Sequence, residues 1–334
     1  MSMKYDFTTI LNREGTGAIA VSKIPFDNAE IKEGFSKIPM WVADMNYATA
    51  PSVIEAIQNR LAHPVFGYFD IKDAYSESII EWQKIRNGVT DIPKEAIDYE
   101  NGVLGSVSSV LQAFTAPGEA ILLHSPAYIG FIGTITNMGR KIVYSPLKKD
   151  EQGVWRMDYE DMERKITPKT KGIVVINPNN PTGVLYPKEI LEGIADIARR
   201  HDLVLFADEI YDRLVFDGKK HVALASVAPD LFCININGLS KSHRMAGFRC
   251  GWMCLSGPKQ NAKSYIQGVN LLSSMRLCSN VPAQSIIQTA LGGIQSADEL
   301  LLPGGRLFEQ REVIYNELSA IDGISVVKPD AAFY

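Results

Sequence analysis

The chain has 334 residues, 46% hydrophobic and 22% charged, with a formal net charge of −4. This balance excludes a disordered or fibrous chain. With no Lys/Arg run longer than a few residues, it also gives no electrostatic reason to expect nucleic acid as a partner. Polar and charged residues fill the N-terminal MSMKYDFTTILNREG, where a secretory signal needs an apolar stretch. No segment supplies the roughly 20 apolar residues of a membrane span, so a cytoplasmic location and no membrane partner are expected. The length suits roughly two domains of about 150 residues each. The four cysteines, Cys233, Cys250, Cys254 and Cys278, read as free thiols, three of them in apolar runs. Cys250 and Cys254 lack the second pair or nearby His that would complete a tetrahedral set, so no metal site is expected.

In chain order, the pattern predicts a helix over 52–62 behind Pro51, a helix over 103–115, and strands at AILLHS (120–125) and KIVYSP (141–146). A helix over 158–166 opened by Asp158 follows, then a strand at GIVVIN (172–177) and a helix over 187–201 behind Pro187. Strands at LVLFAD (203–208) and LFCININ (231–237) precede a long helical stretch over 259–275. Strands alternating with amphipathic helices predict an α/β protein with a mostly parallel sheet. Because the strands are apolar nearly throughout, all five are expected to be central and covered on both faces. The first 45 or so residues have weak periodicity and several turn signals, and are expected to wrap the body. There is no internal repeat, low-complexity segment or Gly/Ser linker.

In an open α/β sheet, ligands bind beyond the carboxyl ends of the strands. GIVVIN runs into Asn177-Pro-Asn-Asn-Pro-Thr-Gly183, LVLFAD ends in Asp208-Glu-Ile-Tyr211, and LFCININ ends in Gly238-Leu-Ser-Lys241. Singly, these are an ordinary turn, a helix cap and an exposed lysine. Their joint order is what those readings leave unexplained.

That order, NPNNPTG then DEIYD then GLSKSHRMAGFRCGW, resembles the fold-type I pyridoxal 5'-phosphate (PLP) enzymes of the class I/II aminotransferase superfamily, from about residue 5 to 334. The resemblance implies a three-layer α/β/α fold with a smaller, truncated α+β domain. The implied division is an N-terminal segment 1–45, a large PLP-binding domain 46–280 and the start of a small domain 281–334. It implies PLP as cofactor, held by Lys241 as a Schiff base, with Lys241 also the catalytic proton carrier. Asp208 would face the pyridine nitrogen, Asn180 and Tyr211 would hydrogen-bond the phenolic oxygen, and the Tyr128 ring would stack on the pyridine. Arg249, Ser240 and the Gly102-Val103-Leu104 turn at a helix start would hold the phosphate. Tyr68 would reach a neighbour's phosphate, which implies a homodimer with shared active sites.

Two relatives are suggested for the reaction. From KYDFTTILNREGTGAIAVSK through PMWVADMNYATAPSVIEAI and FGYFD, the chain looks like cystathionine β-lyases of the type that includes a maltose-regulon modulator. From ITPKTKGIVVINPNNPTG to NVPAQ and TALGGIQS, it is similar to bacterial alanine (glutamate-pyruvate) aminotransferases, and the Lys241 segment belongs with this second group. Amino transfer between an amino acid and a 2-oxo acid is therefore the leading expectation. β-Elimination, a C–S lyase reaction, is the alternative, and a PLP-binding regulatory protein with weak catalysis is a third. The resembling families continue past an AAFY-like strand to an arginine that binds the substrate α-carboxylate. On that comparison the chain reads as truncated at Tyr334, with weak substrate binding.

Overall fold

A computed structural model describes residues 5–22, 25, 30–70 and 72–334, the side chains of 259–261 excepted, so part of the N-terminal segment 1–45 lies outside the described residues. Seven strands form the central sheet: β1 Ile97–Glu100, β2 Ala120–Ser125, β3 Lys141–Pro146, β4 Thr170–Ile176, β5 Val204–Asp208, β6 Cys233–Gly238 and β7 Gly251–Ser256. Their order is β1-β7-β6-β5-β4-β2-β3. Neighbours from β3 across to β6 are parallel, whereas β7 runs antiparallel to both β6 and β1.

The main helices are α1 Pro51–Leu61, α2 Asp73–Asn87, α3 Val103–Phe114, α4 Ile129–Asn137, α5 Tyr159–Lys165, α6 Lys188–His201, α7 Lys259–Ser274, α8 Val281–Gly292, α9 Ser296–Leu301 and α10 Arg306–Ser319. The expected Asp158 cap is present, its side chain accepting from the Asp161 backbone N–H at 3.1 Å. Pro51 opens α1 at a position where its missing N–H costs no hydrogen bond. Helix α3 packs across β6 and β7 and against α4 and α7, while α6 packs on β5 and against α5. Helix α8 lies against α1 and α2.

Four of the five predicted strands are buried along most of their length, as expected for the middle of such a sheet. The fifth is a correction. Strand β3 is an edge strand, and most of its residues are exposed or half-buried because, among the described residues, no further strand pairs with its outer side. The sequence reading also passed over β1 and β7, of which β7 supplies the antiparallel step that closes the other side of the sheet. Cys233, Cys250 and Cys254 are buried free thiols, and Cys278 is half-buried.

Helix α3 is held at its C-terminal end by a buried cation. Arg140 donates from Nη2 to the carbonyls of Leu111 (3.0 Å) and Thr115 (2.7 Å), from Nη1 to Met138 O (2.6 Å), and from Nε to Thr115 Oγ1 (2.9 Å). These acceptors include carbonyls that a helix terminus leaves without intrahelical donors, and the charge complements the helix dipole. Replacing Arg140 with Met should lower stability by about 1.5–3 kcal/mol, because the part-buried Thr115 and Met138 carbonyls lose a charged donor, with Lys restoring only part. Urea unfolding of the two variants measures this.

Candidate active site

Because β4, β5 and β6 are parallel and in register, Ile176 pairs with Asp208 and Asp208 with Ile236, so the three chain segments that follow emerge side by side. After β4 the chain turns through 177–183. Asn177 Oδ1 accepts from Tyr186 N at 2.9 Å, its amide donates to Val222 O at 3.2 Å, and Asn179 Oδ1 accepts from Thr182 Oγ1 at 2.7 Å. Those two asparagines therefore hold the loop. Asn180 is also buried, yet its amide makes no hydrogen bond among the described residues.

Asp208 ends β5 and is 4% exposed, walled by Val107, Val174, Phe206 and Ile236. Its Oδ1 accepts from Ile210 N at 3.1 Å. Burial raises its carboxyl to about 7, and the Glu209 charge adds to that, while the Ile210 N–H and the Lys241 charge oppose it. Lys241 lies in a single helical turn, Leu239–Ser242, straight after β6. Burial lowers the pKa of its ammonium, against the pull of Asp44 and Asp208, which favours a neutral amine. Lys241 Nζ donates to Ala43 O and stands 5.8 Å from the centre of the Tyr211 ring.

A second cluster borders the first. Gly102 is the N-cap of α3, with φ +76°, and Arg249, itself left-handed at φ +52°, lays its guanidinium over it. Arg249 donates from Nη2 to Asn101 O and from Nη1 to Ala246 O, both at 2.7 Å. A Cβ on Gly102 would stand 2.0 Å from Arg249 Nη2, so only glycine admits this approach. The N–H groups of Val103 and Leu104, in the first turn of α3, have no intrahelical acceptor. Together they and Arg249 make an anion cradle.

Tyr128, the N-cap of α4 after β2, is half-buried. Burial raises the pKa of its hydroxyl, the Asp208 charge raises it further and Arg249 lowers it, so Tyr128 lies between the two clusters. Tyr211 is 2% exposed, and its hydroxyl meets that of Tyr334 at 2.8 Å.

The structure thus brings Gly102, Val103, Leu104, Tyr128, Asn180, Asp208, Tyr211, Lys241 and Arg249 to one edge of the sheet. Ser240 is half-buried on the Lys241 turn, and its hydroxyl makes no hydrogen bond among the described residues. Tyr68 is apart from this group, 84% exposed between α1 and α2. Sequence reasoning missed Ala43 and Asp44, the first 198 residues from Lys241 along the chain. Asp44 pairs with Arg13 at 2.8 Å. No motif marks that contact, because only folding brings the N-terminal segment over the lysine.

The profile of the family described as "Aminotransferase class I and II" matches residues 36–334. The chain belongs to this family. It is 47% identical over 270 residues to the glutamate-pyruvate aminotransferase AlaA of Escherichia coli (strain K12), a match covering 80% of this chain and 66% of that protein. It is 29% identical over 301 residues to the cystathionine beta-lyase PatB of Bacillus subtilis (strain 168), covering 89% of this chain and 76% of PatB. The crystal structure of an aminotransferase from E. coli superposes with a TM-score of 0.81 at 43% identity, over 86% of this chain and 70% of that one. The class I/II chain described here therefore spans 66% of the length of its AlaA relative.

The raised Asp208 carboxyl has a consequence for stability. Between the ordinary carboxyl value of 3.8 and about 7, the folded class I/II chain retains a proton that the unfolded chain releases. The stability this group contributes is fully present below about pH 4 and is lost as pH rises through 7, at most on the order of 4 kcal/mol. Urea unfolding of cofactor-free protein at about pH 5 and pH 7.5 should show that fall, and Asp208→Asn should flatten it.

Proposed function

We propose that this chain binds PLP and transfers an amino group between an alanine- or glutamate-like amino acid and a 2-oxo acid. The observation that carries the reading is the convergence of a desolvated lysine, a buried carboxyl and an anion cradle on the carboxyl edge of β4–β6. The residues fit the group. Gly102 admits the Arg249 guanidinium over the start of α3, the Asn180 amide has no hydrogen-bond partner among the described residues, and Asp208 is a buried acid.

PLP, when bound, supplies an electron-accepting ring for the pair released as the substrate Cα–H bond breaks. The remaining work belongs to the protein. Lys241 Nζ is the attachment point and, as a free amine, carries the proton at the substrate Cα. Asp208 would pair with the pyridine nitrogen and, once ionised, keep that nitrogen protonated. Asn180 and Tyr211 would donate to the phenolic oxygen, and the Tyr128 ring would pack against the cofactor. Arg249, Ser240 and the amides of Gly102, Val103 and Leu104 bind the phosphate.

Amino transfer is favoured by the identity to AlaA, which runs through the Lys241 segment. β-Elimination is the second reading, supported by the likeness to PatB over 89% of the chain. Incubation with alanine plus 2-oxoglutarate should yield pyruvate and glutamate. Pyruvate and ammonia from cystathionine, with no glutamate in the first assay, would instead establish the lyase.

A homodimer in which Tyr68 reaches the partner's phosphate is part of the proposal. It is supported by the exposed apolar side chains of Phe35, Met40, Val65, Phe66, Met275 and Leu277, of the kind an interface between copies would cover. A cytoplasmic location is also part of the proposal. Among the described residues no helix is long and apolar enough to cross a membrane.

Lys241→Ala should abolish borohydride-fixable cofactor and turnover. Gly102→Ala should weaken PLP binding about tenfold or more while the fold persists, since displacing Arg249 forfeits a charge-assisted hydrogen bond. Cofactor titration followed by absorbance, with circular dichroism as the fold control, checks both.

A further inference from the structure

The C-terminal ribbon 328–334 is tied to the site from two sides. The N–H groups of Asp330 and Ala331 both reach Gly183 O at 3.1 Å, at the end of the 177–183 loop. Ala332 N donates to Leu214 O at 2.8 Å, and Phe216 N to Asp330 O at 2.9 Å, just beyond Tyr211. A Cβ on Gly183, whose φ is +68°, would meet Tyr334 O at 2.6 Å, so the ribbon runs hard against that loop. Phe333 and Tyr334 both set their rings edge-on to Tyr211, with centroids 5.7 and 5.9 Å away. The result is the 2.8 Å contact between the Tyr334 and Tyr211 hydroxyls.

From this geometry we infer that Tyr334 is a positioning residue, acting through Tyr211 to direct and strengthen the hydrogen bond that Tyr211 gives the cofactor's phenolic oxygen. The inference rests on the proposed role of Tyr211. Each hydroxyl has one proton and can also accept. When Tyr211 turns its proton toward the cofactor, its oxygen is left to accept, and Tyr334 is placed to donate to it. A chain of two hydroxyls polarises its terminal bond, strengthening it by roughly 10–30%. Without Tyr334, the oxygen of a tyrosine that is 2% exposed would lose this donor.

The charged and titratable groups facing the pair are Asp208, Tyr128 and Lys241. Asp208 and Tyr128 both disfavour a tyrosinate, and burial raises the Tyr211 hydroxyl well above its ordinary value and raises that of Tyr334 as well. Tyr211 and Tyr334 therefore stay protonated and remain donors through the working pH range. Tyr334 thereby links the ribbon to the electronic state of the cofactor.

The test uses the PLP-loaded full chain and reads the pH midpoint of its visible absorption change, together with PLP affinity. A donor to the phenolic oxygen favours that oxygen's anionic form and lowers the midpoint, so weakening the donor raises it. Tyr334→Phe, which keeps the ring packing, should raise the midpoint by about 0.3 pH unit. Tyr211→Phe should raise it further, and the double variant should match Tyr211→Phe alone. A shift with Tyr211→Phe but none with Tyr334→Phe overturns the relay, as does a double variant whose shift is the sum of the two. No shift with Tyr211→Phe removes the assigned role of Tyr211, and the relay with it. Unchanged circular dichroism in each variant separates these outcomes from unfolding.

Discussion

The site depends on the register of three parallel strands. Ile176, Asp208 and Ile236 stand abreast across β4, β5 and β6, so the residues after each strand are delivered to one edge by the hydrogen-bond ladder itself. Asp208 lines a small, mostly apolar cavity with Val107, Val174, Phe206 and Ile236, and its charge is poorly solvated there. A carboxyl at about 7 is the outcome of placing a polar chain end on an apolar sheet. A cation opposite it would offset that cost, and the protonated pyridine of the proposed cofactor is such a cation.

Helix α3 adds to that arrangement the proposed phosphate site. Its first turn offers amides at Val103 and Leu104, and Gly102 allows Arg249 to lie directly over the helix start. Its far end is fastened by Arg140. Arginine at the C-terminus and an anion at the N-terminus act in the same electrostatic sense, each opposing one end of the helix dipole. Strand β7 completes the cradle from the side, since Gly251 lies so close that a Cβ there would be 2.7 Å from the Gly102 Cα. That closeness explains why the antiparallel strand the sequence reading missed matters to the site.

Both ends of the chain then close on this frame. The N-terminal segment brings Ala43 O to Lys241 and Asp44 near its charge, with Arg13 holding Asp44 in turn. The C-terminal ribbon brings Tyr334 to Tyr211, and Arg311, stacked 4.2 Å over Phe216 and paired with Asp217 at 2.7 Å, fastens the segment it crosses. Lysine and tyrosine are thus each served by a part of the chain distant in sequence.

Much of this was legible in the residues. Strand–helix alternation, the Asp158 cap, Pro51 before a helix and the polar residues after LVLFAD and LFCININ are local signals, and local signals survive without coordinates because backbone propensity and capping act over a few residues. The order of NPNNPTG, DEIYD and GLSK likewise carried the family. Tertiary structure decided what depends on pairing across distance. It made β3 an edge rather than a central strand, because an apolar run does not reveal how many neighbours it has. It set Arg249 on Gly102, and Ala43 and Tyr334 against Lys241 and Tyr211, because such contacts are fixed by how layers stack and not by any spacing along the chain.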